Sequence, residues 1–513
     1  MRLRYFIFIL WIICCLIVDP VIATTHKQTK TAKSRSSIKL AKHPVSRVRS
    51  KAIAAGTAFI FGGSQLTYEL NNAINALNSS AAIAVYVKSM KYGDTLYTRN
   101  INQSLVPAST LKVLTAEAAL IFLKPEYRFA THLLTDAKKI KNGVLQGNLY
   151  VVLNGDPTLT YSDLLELMDN LKSQQIQAVA GNVYIDNTAY DQSFYGPGWE
   201  WKDKSYCYAA PISASIINHN CLPFKVTPSK VSGRTAQVET SSRFFYPRIR
   251  NSVVTKSTHT RACSLHLSSS LSGGLEIDGC MPKGQTAWGV SYVVTDVPEY
   301  NRALFKGVLN QLGVKVYGTV TFGTAPRDLS MIALHASKPL SDLINEMLKK
   351  SDNVIAGALF KKIGQLYTHR PGSWENGSIA VSQILSRHAG VDILGLRILD
   401  GSGLSAANLA KPAQMMQVLN YAYHQESFSD AFITALPIAG VDGTLKHRMG
   451  NIARKVRAKT GTISGVVSLA GYAISADKEP LAFVIMINGT KAMTWRYREL
   501  EDRIATALTR YKR

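Results

Sequence analysis

The two ends of the folded chain mirror each other, and this limits the architecture more than any other feature. Near the start, QLTYELNNAINALN (65–78) places Leu66, Leu70, Ile74 and Leu77 on one helical face. Two strands follow, AAIAVYVKSM and DTLYTRN, joined as a hairpin across Lys91, Tyr92 and Gly93. Near the end, VRAKTGT, SLAGYAIS and PLAFVIMIN read as three more strands, and RYRELEDRIATALTRY reads as an amphipathic closing helix. Brought together, these pieces make one antiparallel sheet with helices on its faces, an α+β arrangement.

What lies between has two textures. From 127 to 328 the chain carries short β runs, RFATHLLTD, GNLYVVLNGDP, GNVYIDNT, WGVSYVVTDV and VKVYGTVTFG, separated by turn residues. One helix, PEYNRALFKGVLNQLG, sits near its end. This is a mostly-β insertion of one or two subdomains, and helical periodicity returns with LSDLINEMLKKSDNVIAGALFKKIG. The expected division is therefore a leader at 1–23, a basic linker at 24–60, the first part of the sheet domain at 61–126, the insertion at 127–328 and the second part at 329–513. At 513 residues the chain is long enough for several domains.

The leader has Arg2 and Arg4, an apolar run over 5–18 and small residues up to Ala23. Those are the parts of a secretory signal, and the run is shorter than the ~20 residues that span a bilayer. Residues 26–51 hold nine Lys or Arg and no acid, which reads as a solvated tether. The functional reading of that stretch is weak association with an anionic membrane or envelope surface; the formal net charge of +25 favours polyanionic surroundings without naming them, and nucleic acid is not expected, since no recognised nucleic-acid motif is present. Apart from Cys14 and Cys15, four cysteines lie inside the insertion: Cys207, Cys221, Cys263 and Cys280. An even set in an exported chain predicts two disulfides. Three connectivities exist, with the sequence-local Cys207–Cys221 the first choice. No C-x-x-C and no paired histidines suggest a metal, and no cofactor is expected. His219 and His447 read as structural.

PASTLK (107–112) sets Ser109 three residues before Lys112. Pro107 suits the edge of a helix. Ser109 then falls in the first turn, with Lys112 on the same face and leaning back over it. Leu111, Leu114, Ala118 and Ile121 form the stripe that would bury this helix. A lysine buried there loses proton affinity and can act as a base near neutrality. Alone the pattern means little, because Ser36 and Lys39 repeat it in the basic tether. SDN (351–353) marks a break between two helical stretches, where Ser351 and Asn353 could face one direction. AKTGT (458–462) puts Lys459, Thr460, Gly461 and Thr462 on a strand, a cation and hydroxyls suited to a carboxylate, with a glycine that lets a neighbour approach.

In this order the three motifs are a known signature of penicillin-binding proteins and class A β-lactamases. The chain resembles the low-molecular-mass class C penicillin-binding proteins, the D-alanyl-D-alanine carboxypeptidase/endopeptidase family, over about 60–510. GNLYVVLNGDPTLT, YGPGWEWKDKSYCYAAPISA, LDGSGLS, LPIAGVDGTLKHRM and VRAKTGTISGVVSLAGY all look like family segments. The step of 242 positions from Ser109 to Ser351 fits a family with inserted domains. The resemblance implies a penicillin-binding/serine β-lactamase-like sheet flanked by helices. It also implies a serine DD-peptidase, exported to the bacterial periplasm or envelope, acting on peptidoglycan peptides and acylated by β-lactam antibiotics. Ser109 would be the nucleophile and Lys112 its base, with Ser351 and Asn353 relaying protons and positioning substrate. Lys459 and Thr460 would meet the terminal carboxylate, and the N–H groups of Ser109 and Thr462 would form the oxyanion hole. A serine β-lactamase is the nearest rival, but Glu375 and Glu426 do not have the surroundings of a deacylating glutamate. A catalytically silent binding or sensor protein is the other. The basic, aromatic SRFFYPRIRNS (242–252) reads as an ordinary strand with exposed arginines.

Overall fold

The computed structural model describes residues 62–240, 248–257, 263–269, 274–490 and 493–513. The leader, the basic tether and the SRFFYP part of the basic aromatic run lie outside the described residues. Among those described, no helix is long and apolar enough to cross a membrane.

The strands from the two chain ends do share one sheet. Its spatial order is Val456–Ile463, Val466–Ile474, Pro480–Asn488, Ala82–Ser89, Thr95–Arg99, antiparallel throughout. Ala82 stands opposite Asn488 and Ser89 opposite Leu481. Side chains alternate between faces along each strand, and this sorts the core. Ile83, Val85, Val87, Phe483, Ile485 and Ile487 pack with Leu66, Leu70 and Ile504 of the terminal helices Gly63–Ala76 and Thr494–Arg510. The opposite face mixes small residues such as Ala84, Ala470 and Ala482 with Tyr472, Val484 and Met486. Short side chains there let the segment around Ser109 and the helix Pro412–His424 come close to the strands.

The helix carrying Lys112 departs from the single apolar stripe expected of it. Every residue from Lys112 to Ile121 is buried, because the helices Leu340–Lys350, Asn353–Thr368, Trp374–Ala389 and Pro412–His424 pack around it. Burial on all sides extends to Glu117, whose two carboxyl oxygens have no hydrogen-bond partner.

Within 127–328 a five-stranded sheet runs Val320–Phe322, Val183–Asp186, Leu149–Val152, Ala130–Thr135 and then Ser330–Ala336. That last strand lies beyond 328 and still pairs with Ala130–Thr135. Besides the anticipated helix, now Val297–Leu312, the region holds a second at Tyr161–Ser173 that the sequence reading missed. Leu164, Leu167, Met168 and Leu171 give it helical spacing, and Thr160 with Asp163 forms its capping box. Short strands on either side mask that signal. The disulfides are Cys207–Cys221, as first chosen, and Cys263–Cys280.

Candidate active site

Ser109 sits in a short 3-10 turn, Ala108–Leu111, and the α-helix starts only at Lys112. This corrects the placement in the first α-helical turn. In a 3-10 turn residues three apart eclipse each other, so Lys112 lies directly over Ser109, Nζ to Oγ 3.1 Å. Ala108 has φ +48°, left-handed backbone that costs a non-glycine residue roughly 1 kcal/mol or more. Its surroundings impose it. Thr110 Oγ1 and Ser468 Oγ each donate to the Pro107 carbonyl at 2.6 Å. On the other side the chain passes so close that a Cβ on Gly403 would stand 1.9 Å from the Ala108 carbonyl oxygen.

Lys112 is fully buried. Its Nζ meets Ser109 Oγ, Asn353 Oδ1 at 2.5 Å and the Ser402 carbonyl at 2.7 Å. Burial pulls its pKa down to about 7, against an upward pull from the charges of Asp400 and Asp352. The Ser402 carbonyl is fixed by Asp400, which is buried and accepts from the N–H groups of Ser402, Gly403 and Ser405, from Trp199 Nε1 and from Asn408 Nδ2. This brace went unassigned in the sequence reading, although Asp before Gly-Ser-Gly is the signal of a side-chain-stabilised turn.

The helix Leu340–Lys350 stops at Ser351, which turns left-handed at φ +59°, and Asp352 caps the next helix by accepting the Ile355 N–H. The break predicted at SDN is therefore real. Asn353 Oδ1 accepts from Lys112, and its Nδ2 donates to the Tyr208 carbonyl at 2.8 Å. Tyr208 follows Cys207, so the disulfide to Cys221 ties this contact to the insertion's sheet. His219 Nδ1 lies 3.6 Å from Asp352 Oδ2.

The third motif occupies an edge strand. Lys459 Nζ donates to Ser351 Oγ at 2.9 Å and to the Thr460 carbonyl at 2.8 Å. Burial first, then the charge of Lys112, pushes Lys459 well below the ordinary lysine value. Thr460 Oγ1 donates to Thr444 Oγ1, and Thr462 Oγ1 accepts from Arg498 Nη2 at 3.3 Å. Gly461 is where the strand meets the Ser109 turn. A Cβ there would lie 2.1 Å from Ser468 Oγ and 3.1 Å from the Ser109 nitrogen.

All eight residues singled out in the sequence thus come to one place. Ser109, Ser351, Asn353 and Thr462 line a cleft of about 330 Å³ together with Glu200, Asp203 and Tyr208 from the insertion. Lys112 and Lys459 stand buried behind it, and Thr460 and Gly461 continue the strand beside Thr462. Larger grooves of about 560 and 690 Å³ occur elsewhere, but neither has a hydroxyl set against a buried amine. Such a pairing can deprotonate a serine and stabilise charge on a carbonyl that it attacks.

A sheet backed by terminal helices, with this cleft on its inner side, is the architecture of penicillin-binding proteins. The crystal structure of penicillin binding protein 4 (dacB) from Haemophilus influenzae matches it with a TM-score of 0.76 and 32% identity, over 88% of this chain and 98% of that one. The D-alanyl-D-alanine carboxypeptidase DacB of H. influenzae is 35% identical over 76% of this chain and 84% of its own length. The D-alanyl-D-alanine carboxypeptidase of Actinomadura sp. strain R39 is 32% identical over 88% and 86%. Residues 66–511 match the D-Ala-D-Ala carboxypeptidase 3 (S13) family, and the chain belongs to that family.

Proposed function

We propose that this cleft is the acyl-transfer centre of a serine DD-peptidase that acts on peptidoglycan stem peptides and is acylated by β-lactams. The observation that carries this reading is the set of acceptors around Lys112. A neutral amine has two N–H groups and one lone pair. Asn353 Oδ1 and the Ser402 carbonyl can only accept, so they take the two N–H groups. The lone pair is left for the Ser109 hydroxyl.

The reaction follows from that geometry. Ser109 Oγ bonds to the carbonyl carbon of the penultimate D-alanine while its proton passes to Lys112 Nζ. The N–H groups of Ser109 and Thr462 hold the oxygen as it becomes negative. The C–N bond then breaks, and the departing amine takes a proton through Ser351, which is held between Lys459 and the end of its helix. Water repeats the sequence on the ester and frees Ser109. Asn353 orients Lys112 and substrate, and Lys459 and Thr460 face the substrate's carboxylate end.

Both a terminal D-alanine and a D-alanyl cross-link present this bond, so the reading covers removal of the terminal D-alanine, cleavage of the cross-link, or both. The leader and its small-residue stretch ending at Ala23 support export to the periplasm or envelope of a bacterium. The basic stretch 26–51 supports weak attachment to an anionic membrane or envelope polymer. The division into 61–126, 127–328 and 329–513 assigns catalysis to the outer two segments and substrate selection to the insertion, which brings Glu200, Asp203 and Tyr208 to the cleft. The test is labelling with a fluorescent penicillin, wild type beside Ser109→Ala. A stable stoichiometric adduct on the wild type alone is expected. Equal labelling of both would sink the assignment, and steady turnover of nitrocefin would favour a β-lactamase.

A further inference from the structure

The small β unit of the insertion ends in a basic tip that the catalytic reading does not use. Three separate stretches of chain meet there. The strands Cys221–Thr227 and Gln237–Thr240 run antiparallel, and 228–236 joins them. The Gly233 N–H donates to the Thr255 carbonyl at 2.8 Å, and the Thr255 N–H donates to the Arg234 carbonyl at 2.8 Å. The Ser229 N–H donates to Thr255 Oγ1 at 2.8 Å. These bonds seat the strand Val254–Lys256 against that connection. The Lys283 N–H donates to the Lys256 carbonyl at 2.7 Å, which adds the turn that follows Leu275–Pro282. Beneath them Val226, Ala236, Val253, Ile277 and Met281 pack into a core of their own. Backbone bonds and this core hold the tip in shape and leave its charged side chains free for other contacts.

The surface so formed carries one sign of charge. Lys230, Arg234, Lys256 and Lys283 are all exposed, and among the described residues none of the four has an ion pair or a side-chain hydrogen bond. Residues 221–293 carry nine Lys or Arg and three acids, and those acids are engaged elsewhere. Glu239 stands opposite Lys225, Glu276 lies 3.8 Å from Arg250, and Asp278 lies 3.1 Å from His266. Cations gathered in this way repel one another, a cost that an anionic surface removes. Among them stand Val231 and Val254, 57% and 39% exposed. One exposed valine is ordinary. Two on a fixed tip, with Lys230 beside one and Lys256 two residues from the other, have the make-up of an interfacial contact. Apolar side chains enter the headgroup boundary while the cations meet phosphates. A soluble polyanion would use the cations and leave the valines in water.

We infer that this tip is a membrane-docking surface for a bilayer containing anionic phospholipid, with Lys230, Arg234, Lys256 and Lys283 on the headgroup phosphates and Val231 and Val254 in the interface. It is a second contact besides the basic stretch 26–51, and, unlike a charge run in sequence, it exists only in the folded chain. Two contacts on one chain make the second binding event intramolecular, so each can be weak. The inference does not depend on the DD-peptidase reading of the cleft.

The test is sedimentation with phosphatidylglycerol-containing vesicles, beside vesicles of phosphatidylcholine alone, using the exported chain with residues 26–51 present in every variant. Two cation pairs are replaced separately, Lys230→Gln with Arg234→Gln and Lys256→Gln with Lys283→Gln. Each double variant should bind the anionic vesicles about 10- to 30-fold more weakly, at about fivefold per cation lost. Val231→Ser with Val254→Ser should weaken binding about threefold or more at unchanged charge. Lys478→Gln with Arg510→Gln removes two exposed cations from the sheet domain and should leave binding near wild type. Thermal melting checks that each variant folds, and the two cation pairs lie on different stretches, so each checks the other. A wild type that does not bind the anionic vesicles overturns the inference. So do tip variants within twofold of wild type, which would leave binding to the basic stretch alone. An equal loss in the Lys478 and Arg510 variant would make net charge the cause and overturns it too. If the valine variant binds as wild type while soluble polyglutamate competes through the same four cations, the partner is a polyanion and the membrane assignment falls.

Discussion

Lys459 Nζ and Ser351 Oγ lie 2.9 Å apart across 108 positions of sequence, the second amine–hydroxyl pair of the cleft beside Lys112 and Ser109. The two pairs differ in what surrounds them. Lys112 is enclosed by carbonyl acceptors, whereas among the described residues Lys459 donates to Ser351 and to its neighbour's carbonyl. If Ser351 carries the proton to the leaving amine, Ser351→Ala should slow peptide cleavage by about 10²- to 10⁴-fold while leaving the melting temperature near that of wild type. Single-turnover cleavage of a D-Ala-D-Ala peptide measures this. A folded variant within twofold of wild type would remove Ser351 from the relay.

The pH profile of penicillin acylation should report Lys112. Only its neutral form is a base, and burial sets its titration at about 7. Acylation should therefore climb about tenfold per pH unit below that point and level off above it. Asp400 holds the lysine's proton on by its charge, so Asp400→Asn should move the midpoint to lower pH. A rate that is flat from acid to alkaline pH contradicts the base assignment.

Asp400 should matter to stability as well. Its carboxylate accepts from five donors, three of them backbone N–H groups of its own loop. Asp400→Ala should cost about 3 kcal/mol or more, since buried N–H groups lose a charged partner. Urea unfolding gives the figure. Acylation should fall with it, because the Ser402 carbonyl that orients Lys112 is no longer fixed.

Glu117 makes the opposite prediction. Burial raises its carboxyl well above the usual range, and neither oxygen has a partner. The folded state thus holds a proton that the unfolded chain gives up near pH 4.3. Stability from this group is full below that value and declines as pH rises toward the folded-state pKa. Glu117→Met should remove the decline and stabilise the protein by about 1–3 kcal/mol near neutrality. Denaturant midpoints at pH 5 and pH 8 read both effects, and a destabilised variant at pH 8 would show that Glu117 has a use in the core.

Gly461→Ala should damage the site more than the fold. An added Cβ would meet Ser468 Oγ at 2.1 Å and press on the Pro107 carbonyl and the Ser109 nitrogen. Ser468 is one of two donors that hold Pro107, so pushing it away loosens the strained Ala108. An acylation rate reduced at least tenfold is expected, read by gel-based penicillin labelling over time, against a modest loss of melting temperature.

The sheet was legible because its strands are long and apolar and end in clear turn residues. PLAFVIMIN is the strand Pro480–Asn488, and the Lys91–Gly93 hairpin joins Ala82–Ser89 to Thr95–Arg99. The helix Tyr161–Ser173 was missed among short strands, and the extent of burial around Lys112 could not be read from its stripe. Periodicity shows which face of an element is apolar. It does not show how many neighbours arrive to cover the other faces.

By itself the sequence determined the candidate residues and their order, because PASTLK, SDN and AKTGT are local chemistry written in adjacent letters. Only the tertiary structure decided what they are to each other. Lys112 and Asn353 are 241 positions apart and touch, and nothing local encodes that distance. Lys112 becomes a candidate base through desolvation, which depends on packing from four helices. Arg498 belongs to no motif, and Asp400 lies in the LDGSGLS segment without being one of the candidate residues. They join the site because folding brings their side chains to the Ser402 loop and to Thr462, and charge acts on whatever lies within a few ångströms.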